Sequence, residues 1–332
     1  MFNNKAILIT GGTGSFGQRF AQKVLQKFNL KRLVIYSRDE FKQYKMQKNF
    51  NSKKIRFFIG DVRDSERLDF AMKKIDYVVH AAALKHVVSS EYNPEECIKT
   101  NILGAQNVIK SALKNNVEKV IALSTDKAVS PANLYGATKL VSDKLFISAN
   151  NIVGKQKTRF SVVRYGNVIG SRGSVLPHFL ELKEKGKKNL PITDFNMTRF
   201  FITLDEGVNF SIKCFKIMIG GEILIPKCAS IKIIDLAKII NPKAKIQVIG
   251  LRPGEKIHEI LFSRDDSKYA VEFKNHYLIK PSINLNIVNS YLKNSLNEKG
   301  KIVRKQYEYS SNSKNFFLKK SKIQKFIKSF ND

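Results

Sequence analysis

The sequence predicts an α/β fold built on a doubly wound parallel sheet, with a smaller mixed domain toward the C-terminus. Short apolar runs alternate with helical segments through the first half of the chain, and the first run leads through a glycine-rich turn into a helix. After residue 167 short strands and helices mix without regular alternation. We therefore predict a main domain of residues 1–167 plus about 200–226, and a substrate domain of about 168–199 and 227–332.

The first apolar run ends in three glycines at characteristic spacing. Glycine at Gly11 permits a tight turn, at Gly14 it lets backbone approach a pyrophosphate, and at Gly17 it allows close packing of helix on strand. The phosphates of a dinucleotide would then rest on the helix N-terminus. This strand, turn and helix predict a dinucleotide site of the Rossmann type. Its residues are Gly11, Thr13, Gly14, Ser15, Phe16 and Gly17.

The second apolar run ends at Ser37, where such folds select their cofactor. An arginine at this tip pairs with the 2′-phosphate of NADP, whereas an acidic residue accepts from the ribose hydroxyl of NAD. Arg38 comes first and Lys42 lies one helical turn later, so we predict NADP. The alternative is that Arg38 does not bind the cofactor and only begins a solvated helix; it remains open because Asp39 is adjacent.

Two later strand ends complete the predicted cofactor site. Asp61 and Val62 follow the third apolar run, in a loop suited to run past the adenine. Ala81 and Ala82 end the fourth run, where small side chains let the cofactor lie close to the backbone. Lys85 follows them near the predicted nicotinamide end.

Charge is the unusual feature of the composition. The 332-residue chain has 59 Lys and Arg against 28 Asp and Glu, a formal net charge of +31. The lysines are scattered, and no basic run carries the interleaved aromatics of a nucleic-acid groove, so we predict no nucleic-acid partner. No stretch approaches the roughly 20 apolar residues of a membrane helix. We expect a cytoplasmic protein, and a closed homo-oligomer is the default assembly.

The strongest candidates for chemistry follow the fifth apolar run. Tyr135 and Lys139 are four residues apart and share one face of a helix, shortly after Thr125 at a strand end. A nearby ammonium and an oxidised nicotinamide both favour tyrosinate, lowering a pKa that starts near ~10. Tyr135 is therefore predicted to take a proton from an alcohol during hydride transfer. From the residues alone, Asp126 and Lys127 fit either acid–base chemistry or a surface ion pair worth at most ~1 kcal/mol.

These motifs resemble a known family. The glycine turn with Tyr135 and Lys139 is similar to the extended short-chain dehydrogenase/reductases, which mostly act on nucleotide sugars. Finer motifs resemble its soluble, inverting UDP-N-acetylglucosamine 4,6-dehydratases, which open pseudaminic acid synthesis for flagellin glycosylation. The resemblance runs from Ile7 to about Asn312. Its finer motifs are residues 124–128, 164–168 with 172–174, 197–200, and 252–256 with 258–259.

The resemblance implies a reaction and roles for five residues. A dehydratase oxidises C4, removes the C5 proton, expels the C6 hydroxyl and returns hydride to C6. Retaining relatives carry an aspartate–glutamate pair after the threonine, whereas here the second position is Lys127. Thr125 would bind O4, Asp126 would protonate the leaving hydroxyl, and Lys127 would be the C5 base, alongside Tyr135 and Lys139. Lys127 would then need a pKa depressed by burial or neighbouring cations.

The outer motifs suit the nucleotide half of a UDP-N-acetylglucosamine substrate. Arg252 lies in a Pro-Gly turn that can aim its guanidinium at a diphosphate, and Glu255 can accept from the uridine ribose. No metal is expected, since no ligand spacing occurs. A nucleotide-sugar epimerase and a non-catalytic dinucleotide-binding protein remain alternatives. The predicted substrate residues are Lys85, Asn167, Ser174, Val175, Thr193, Met197, Arg199, Arg252 and Glu255.

Overall fold

The structure is a computed structural model that describes residues 1–169, 174–283 and 291–331. Its strands are β1 (Ala6–Thr10), β2 (Arg32–Ser37), β3 (Ile55–Ile59), β4 (Tyr77–His80), β5 (Lys119–Thr125), β6 (Arg159–Tyr165), β7 (Asn167–Val168), β8 (Asn189–Ile192), β9 (Thr198–Ile202), β10 (Ile223–Pro226), β11 (Ala229–Lys232), β12 (Lys245–Val248), β13 (Ile260–Phe262), β14 (Ala270–Glu272), β15 (His276–Ile279), β16 (Lys301–Ile302) and β17 (Tyr309–Ser310). Its helices are α1 (Ser15–Lys27), α2 (Glu40–Asn49), α3 (Ser65–Ala71), α4 (Val87–Tyr92), α5 (Pro94–Ile98), α6 (Gly104–Lys114), α7 (Leu134–Ser148), α8 (Val175–Glu184), α9 (Leu204–Ile217), α10 (Ile233–Ile240) and α11 (Lys320–Asn331). None of these helices is long and apolar enough to cross a bilayer.

The central sheet has the predicted parallel topology. Its strands run β3-β2-β1-β4-β5-β6-β10, each pair parallel, and β1 is buried along its whole length. The strand order reverses between β1 and β4, which opens a crevice at their C-terminal ends where such sheets bind dinucleotides. The predicted fold class is confirmed.

Polar side chains at the helix starts explain where several helices begin. Asp39, Asp64, Asn133 and Thr203 cap α2, α3, α7 and α9, each accepting from a backbone N–H in the first turn. Each cap fixes the residue at which its helix begins.

Part of the predicted second-domain range extends the main sheet. β15, β14 and β16 continue it beyond β10 in antiparallel pairings. They cover the β10 edge, which would otherwise expose unpaired backbone groups. Conversely, β9 pairs with β7 and β11 in a separate sheet. Strands of two to five residues carry no signal in the sequence about their distant partners.

A second apolar core lies around α8 and α10. On α10 the buried positions Ile233, Leu236, Ala237 and Ile240 recur at helical spacing and pack with residues of β8 and β9. The N–H of Thr198 donates to the carbonyl of Ile257 at 3.0 Å. This core therefore anchors β9 beside the segment that carries the 252–259 motif.

Candidate active site

The glycine turn between β1 and α1 lies against the end of β4. Gly11 has φ +65°, and a Cβ there would lie 2.9 Å from Cα and N of Ala82. At Gly17 a Cβ would lie 2.3 Å from the carbonyl oxygen of Gly12. A side chain at either position would displace backbone. Gly14, at the N-cap, leaves the start of α1 without a side-chain cap. This cradle fits a dinucleotide pyrophosphate.

The end of β4 is fixed to β1 by Thr10. Its hydroxyl accepts from the N–H groups of Ala81 and Ala82, both at 3.2 Å. These bonds hold the two alanines at the crevice edge where the sequence predicts the cofactor. The other predicted cofactor residues lie on segments that follow β1, β3 and β4: Thr13, Ser15, Phe16, Val62 and Lys85.

Arg38 and Lys42 make different contacts after β2. Lys42 pairs with Asp39, whose carboxylate also caps α2 by accepting from the Lys42 N–H at 2.8 Å. Arg38 is half exposed, and its Nη1 lies 3.5 Å from Oδ2 of Asp61. Burial alone would raise the pKa of Asp61, but hydrogen bonds from Arg63 and the charge of Arg38 lower it. The acidic residue at this tip is thus engaged by its own helix, while the Arg38 side chain reaches solvent.

Thr125, Asp126 and Lys127 form a connected turn at the end of β5. The Thr125 hydroxyl donates to Oδ1 of Asp126 at 3.1 Å. Nζ of Lys127 lies 3.1 Å from Oδ1 of Asp126, 3.2 Å from Oε1 of Glu259 and 3.3 Å from Oδ1 of Asn167. Three oxygens therefore surround a group that has three N–H donors when charged. Asp126 is fully buried, so the alternative of a solvated surface ion pair is wrong.

The expected low pKa of Lys127 is not what these contacts produce. Burial alone lowers the pKa, but the carboxylates of Asp126 and Glu259 raise it above the ordinary lysine value, while Arg199 acts against them. The arrangement thus stabilises the charged ammonium. The expectation considered burial and neighbouring cations only. It did not include the carboxylate of Glu259, which lies far away in the sequence and raises the pKa of Lys127.

Tyr135 and Lys139 lie one turn apart on α7. Burial raises the pKa of Tyr135 to about 12, opposed by the charge of Lys127 and a hydrogen bond with Thr125. Lys139 is buried, which lowers its own pKa. The lowered pKa expected for Tyr135 is therefore not what these contacts produce, because burial outweighs the charge of Lys127 and the hydrogen bond with Thr125.

A buried ionic contact joins α7, which carries Tyr135 and Lys139, to the neighbouring strands β5 and β6. Oδ2 of Asp143, one turn after Lys139, accepts from Ser124 Oγ at 2.8 Å and from Arg164 Nη2 at 2.9 Å. The carboxylate also opposes the effect of burial on the pKa of Lys139. Removing one partner would leave a buried charge unpaired, which is costly. The contact therefore locks β5, β6 and α7 together.

Arg199 and Glu255, both predicted to contact substrate, contact each other. Nη2 of Arg199 lies 3.3 Å from Oε1 of Glu255, and its Nη1 donates to the carbonyls of Thr198 and Ile257 at 2.8 and 3.0 Å. Arg199 is only 6% exposed, whereas Arg252 is exposed. The geometry thus makes Arg199 a support for the 255–259 segment and leaves Arg252 able to reach a ligand.

The remaining predicted substrate residues lie around the second core. Thr193 donates from Oγ1 to Sδ of Met197 at 2.9 Å, and Met197 is buried among apolar side chains. Ser174 is the N-cap of α8 and Val175 its first residue. Met197 packs as a core residue in this structure. Motif residues 172–173 lie outside the described residues.

Residues 7–281 match the polysaccharide biosynthesis protein family. The chain belongs to that family. A Campylobacter jejuni subsp. jejuni (serotype O:23/36, strain 81-176) protein named UDP-N-acetylglucosamine 4,6-dehydratase (inverting) is 57% identical over 94% of each chain. A Rickettsia bellii (strain OSU 85-389) protein named UDP-glucose 4-epimerase is 46% identical over 84% of each chain. The X-ray structure of Pen from Bacillus thuringiensis has 38% identity and a TM-score of 0.89, covering 100% of this chain and 99% of that one. The resemblance predicted from the motifs is confirmed.

In this member of the polysaccharide biosynthesis protein family, the sequence did not predict two residues that lie at the candidate site. Glu259 was seen only as part of a motif, yet it is 2% exposed and pairs with Lys127. Asn133 joins the start of α7 to the carbonyl of Gly254. The available signal was the position of this glutamate directly before the apolar run 260–262, because a carboxylate that is buried with such a run needs a charged partner.

Proposed function

We propose that the protein is a UDP-N-acetylglucosamine 4,6-dehydratase that inverts C5. The product would be a UDP-4-keto-6-deoxy-N-acetylhexosamine, UDP-2-acetamido-2,6-dideoxy-β-L-arabino-hex-4-ulose. The observation that carries the proposal is the contact of a buried acid, Asp126, with an amine, Lys127, at 3.1 Å beside Thr125. Elimination of water needs a proton donor and a proton acceptor close together. Two relatives, 57% and 54% identical, carry this name.

We infer that NADP is the cofactor, held by the Gly11 cradle, with Arg38 on its 2′-phosphate. The cradle leaves no space for a side chain at Gly11 or Gly17, as close approach of a pyrophosphate requires. Asp39 caps its own helix, which favours Arg38 as the residue that meets the ribose. The chemistry that the bound cofactor would supply is hydride transfer from C4 and back to C6, without net consumption.

The chain's own residues supply the proton transfers. Tyr135 takes the O4 proton, while Thr125 binds O4. Lys127 removes the C5 proton, which the 4-ketone acidifies, and Asp126 protonates the departing C6 hydroxyl. Lys127 must first lose its own proton, because the contacts around it favour the ammonium.

The nucleotide half of the substrate would lie toward the 252–259 segment. Arg252 is exposed and suited to bind the diphosphate, with Glu255 on the ribose and Asn167 near the sugar. The resemblance alone supports a role at the start of pseudaminic acid synthesis for flagellin glycosylation, in the cytoplasm, as a homo-oligomer.

A nucleotide-sugar 4-epimerase is the second candidate, favoured by the relative named UDP-glucose 4-epimerase at 46% identity. An epimerase needs the tyrosine and a cofactor, but its reaction expels no hydroxyl. It therefore gives no reason for the buried Asp126–Lys127 contact.

Incubation of the purified holoenzyme with UDP-N-acetylglucosamine, without added reductant, tests the proposal. We expect a product lighter by one water, with NMR couplings that place C5 in the L-arabino configuration. An isomer of unchanged mass would support the epimerase, and inertness a non-catalytic protein. Asp126→Asn is the control, because it keeps the side-chain shape but cannot protonate the leaving group, so water loss should fall by a factor of ~10²–10⁴.

A further inference from the structure

Glu259 contacts the amine that the proposed dehydration needs as a base. Its Oε1 lies 3.2 Å from Nζ of Lys127, and its Oε2 is buried without a hydrogen-bond partner among the described residues. Asp126 likewise has a buried Oδ2 without such a partner. One lysine thus lies between two buried carboxylates, each with an oxygen that can carry a proton.

The backbone around Glu259 fixes this contact. Its N–H donates to Oγ of Ser311 at 2.9 Å, and the N–H of Ser311 donates back to its carbonyl at 2.8 Å. Oγ of Ser311 also lies 2.7 Å from Oγ1 of Thr198. The carboxylate is therefore held against Lys127 by strand pairing rather than by a mobile loop.

Resting on the proposed function, we propose that Glu259 is the proton acceptor that converts Lys127 from an ammonium to the neutral amine. One N–H bond of Nζ breaks and an O–H bond forms at Oε1 of Glu259. The two opposite charges disappear together, so no charge has to leave the buried cluster. Glu259 therefore acts on the substrate only through Lys127.

The proton count of the cycle closes with this step. The cycle starts with Asp126 protonated, Glu259 ionised and Lys127 as the ammonium. After Glu259 has taken the ammonium proton, neutral Lys127 takes the C5 proton, and Asp126 gives its proton to the departing hydroxyl. Afterwards Lys127 passes a proton to Asp126, its 3.1 Å neighbour, and Glu259 returns its own proton to Lys127. The proton that Tyr135 takes from O4 balances the one that C5 regains.

The charges facing Glu259 are compatible with this role. Burial and the Asp126 carboxylate raise the pKa of Glu259, while Lys127, Arg199 and Lys256 act against them. A carboxyl with a raised pKa accepts a proton from a neighbouring ammonium more readily than an ordinary one.

Glu259→Gln tests the inference, with exchange of the C5 hydrogen in deuterated solvent measured from about pH 6 to pH 9. Glutamine keeps the shape but cannot accept a proton, so Lys127 must lose its proton to solvent. We expect exchange at neutral pH to fall by a factor of ~10²–10⁴ and to rise about tenfold per pH unit, against a flat parent profile. Exchange at or above the parent rate overturns the inference. If Glu259 were only a counter-ion, its removal would lower the pKa of Lys127, make the neutral amine more abundant and speed the exchange.

Glu298→Gln is the matched control, since that carboxylate pairs with Lys213 of α9 at 2.7 Å and is not assigned to the site; it should leave the exchange profile flat and at the parent rate. If Glu259→Gln does not fold, Glu259→Asp is used instead. Aspartate is still a proton acceptor, so we expect a lower rate of C5 exchange that still does not change with pH. A sloped profile would contradict the inference. Failure of the parent to release water would instead overturn the proposed function itself.

Discussion

Asn133 Nδ2 donates to the carbonyl oxygen of Gly254 at 2.8 Å, which ties the start of α7 to the turn that carries Arg252. The Oδ1 of the same side chain accepts from the N–H of Gly136 at 2.8 Å and so caps α7. The amide therefore makes two separable contacts: its oxygen caps α7, and its nitrogen holds the turn at Gly254.

Two substitutions separate these functions. Asn133→Ala removes both and should lower the free energy of unfolding by about 1 kcal/mol, the usual effect of losing an N-cap. Asn133→Asp keeps the capping oxygen but places a carboxylate against the Gly254 carbonyl. We expect its thermal stability to stay near the parent value while KM for the nucleotide sugar rises. A parent KM in the aspartate variant would show that the Asn133–Gly254 contact does not position the turn.

Arg38 should determine the cofactor preference. Arg38→Ala removes a charge-assisted contact to the 2′-phosphate and should weaken NADP binding by ~1.5–3 kcal/mol, with NAD binding little changed. Titration of each cofactor onto the stripped protein measures the ratio. Arg63→Ala is the control, since Arg63 also pairs with Asp61 but is not predicted to reach the ribose. An unchanged ratio in Arg38→Ala would refute the assignment.

His80 should make the fold sensitive to acid. It is buried with Nδ1 2.9 Å from Oγ1 of Thr10, and burial, together with the charge of Lys139, lowers its pKa to about 3. In the unfolded chain the pKa is 6.5, so the unfolded state binds the proton first as the pH falls. Stability should therefore decrease below that pH and stop responding to His80 near pH 3. At pH 5 the loss is about 2 kcal/mol.

Denaturant unfolding at pH 7 and pH 5 measures this effect by comparison with His80→Gln, which cannot titrate. The parent should lose about 2 kcal/mol more than the variant between the two conditions, because other titrating groups contribute equally to both proteins. Parallel losses would mean that His80 is protonated in the folded state.

The sequence was informative where structure depends on neighbours along the chain. The glycine turn at Gly11, the alternation of strands and helices, and the Tyr135–Lys139 spacing each follow from local geometry, and the parallel sheet was predicted from them. The cap at Asp64 was equally local, because a side chain that bonds a backbone N–H three residues later needs no tertiary information.

The parts that could not be predicted depend on contacts between distant segments. Glu259 is held near Lys127 by the pairing of β13 with β17, and its carboxylate adds to that of Asp126 in raising the pKa of Lys127. The buried position of Arg199 likewise follows from its bonds to Thr198 and Ile257. A single sequence does not reveal such pairings, which decide whether a charged residue contacts substrate or supports another side chain.

Lys127 separates this account from that of a general oxidoreductase. If it removes the C5 proton, Lys127→Ala should still bind substrate and remain folded, yet lose water elimination by a factor of ~10²–10⁴. Some slowing at C4 is also expected, because the Lys127 charge opposes the raised pKa of Tyr135. Lys144→Ala is the control, since Lys144 is an exposed lysine on α7.

The most direct measurement is exchange of the C5 hydrogen with deuterated solvent in Lys127→Ala, followed by NMR alongside the parent and Lys144→Ala. The account predicts that exchange in Lys127→Ala collapses together with water loss, while the protein stays folded and still binds substrate. Its melting temperature should fall, because the buried carboxylates of Asp126 and Glu259 lose their shared partner. Exchange at the parent rate in a folded Lys127→Ala protein would show that another residue is the base, and would contradict the assignment of Asp126 as acid and Lys127 as base.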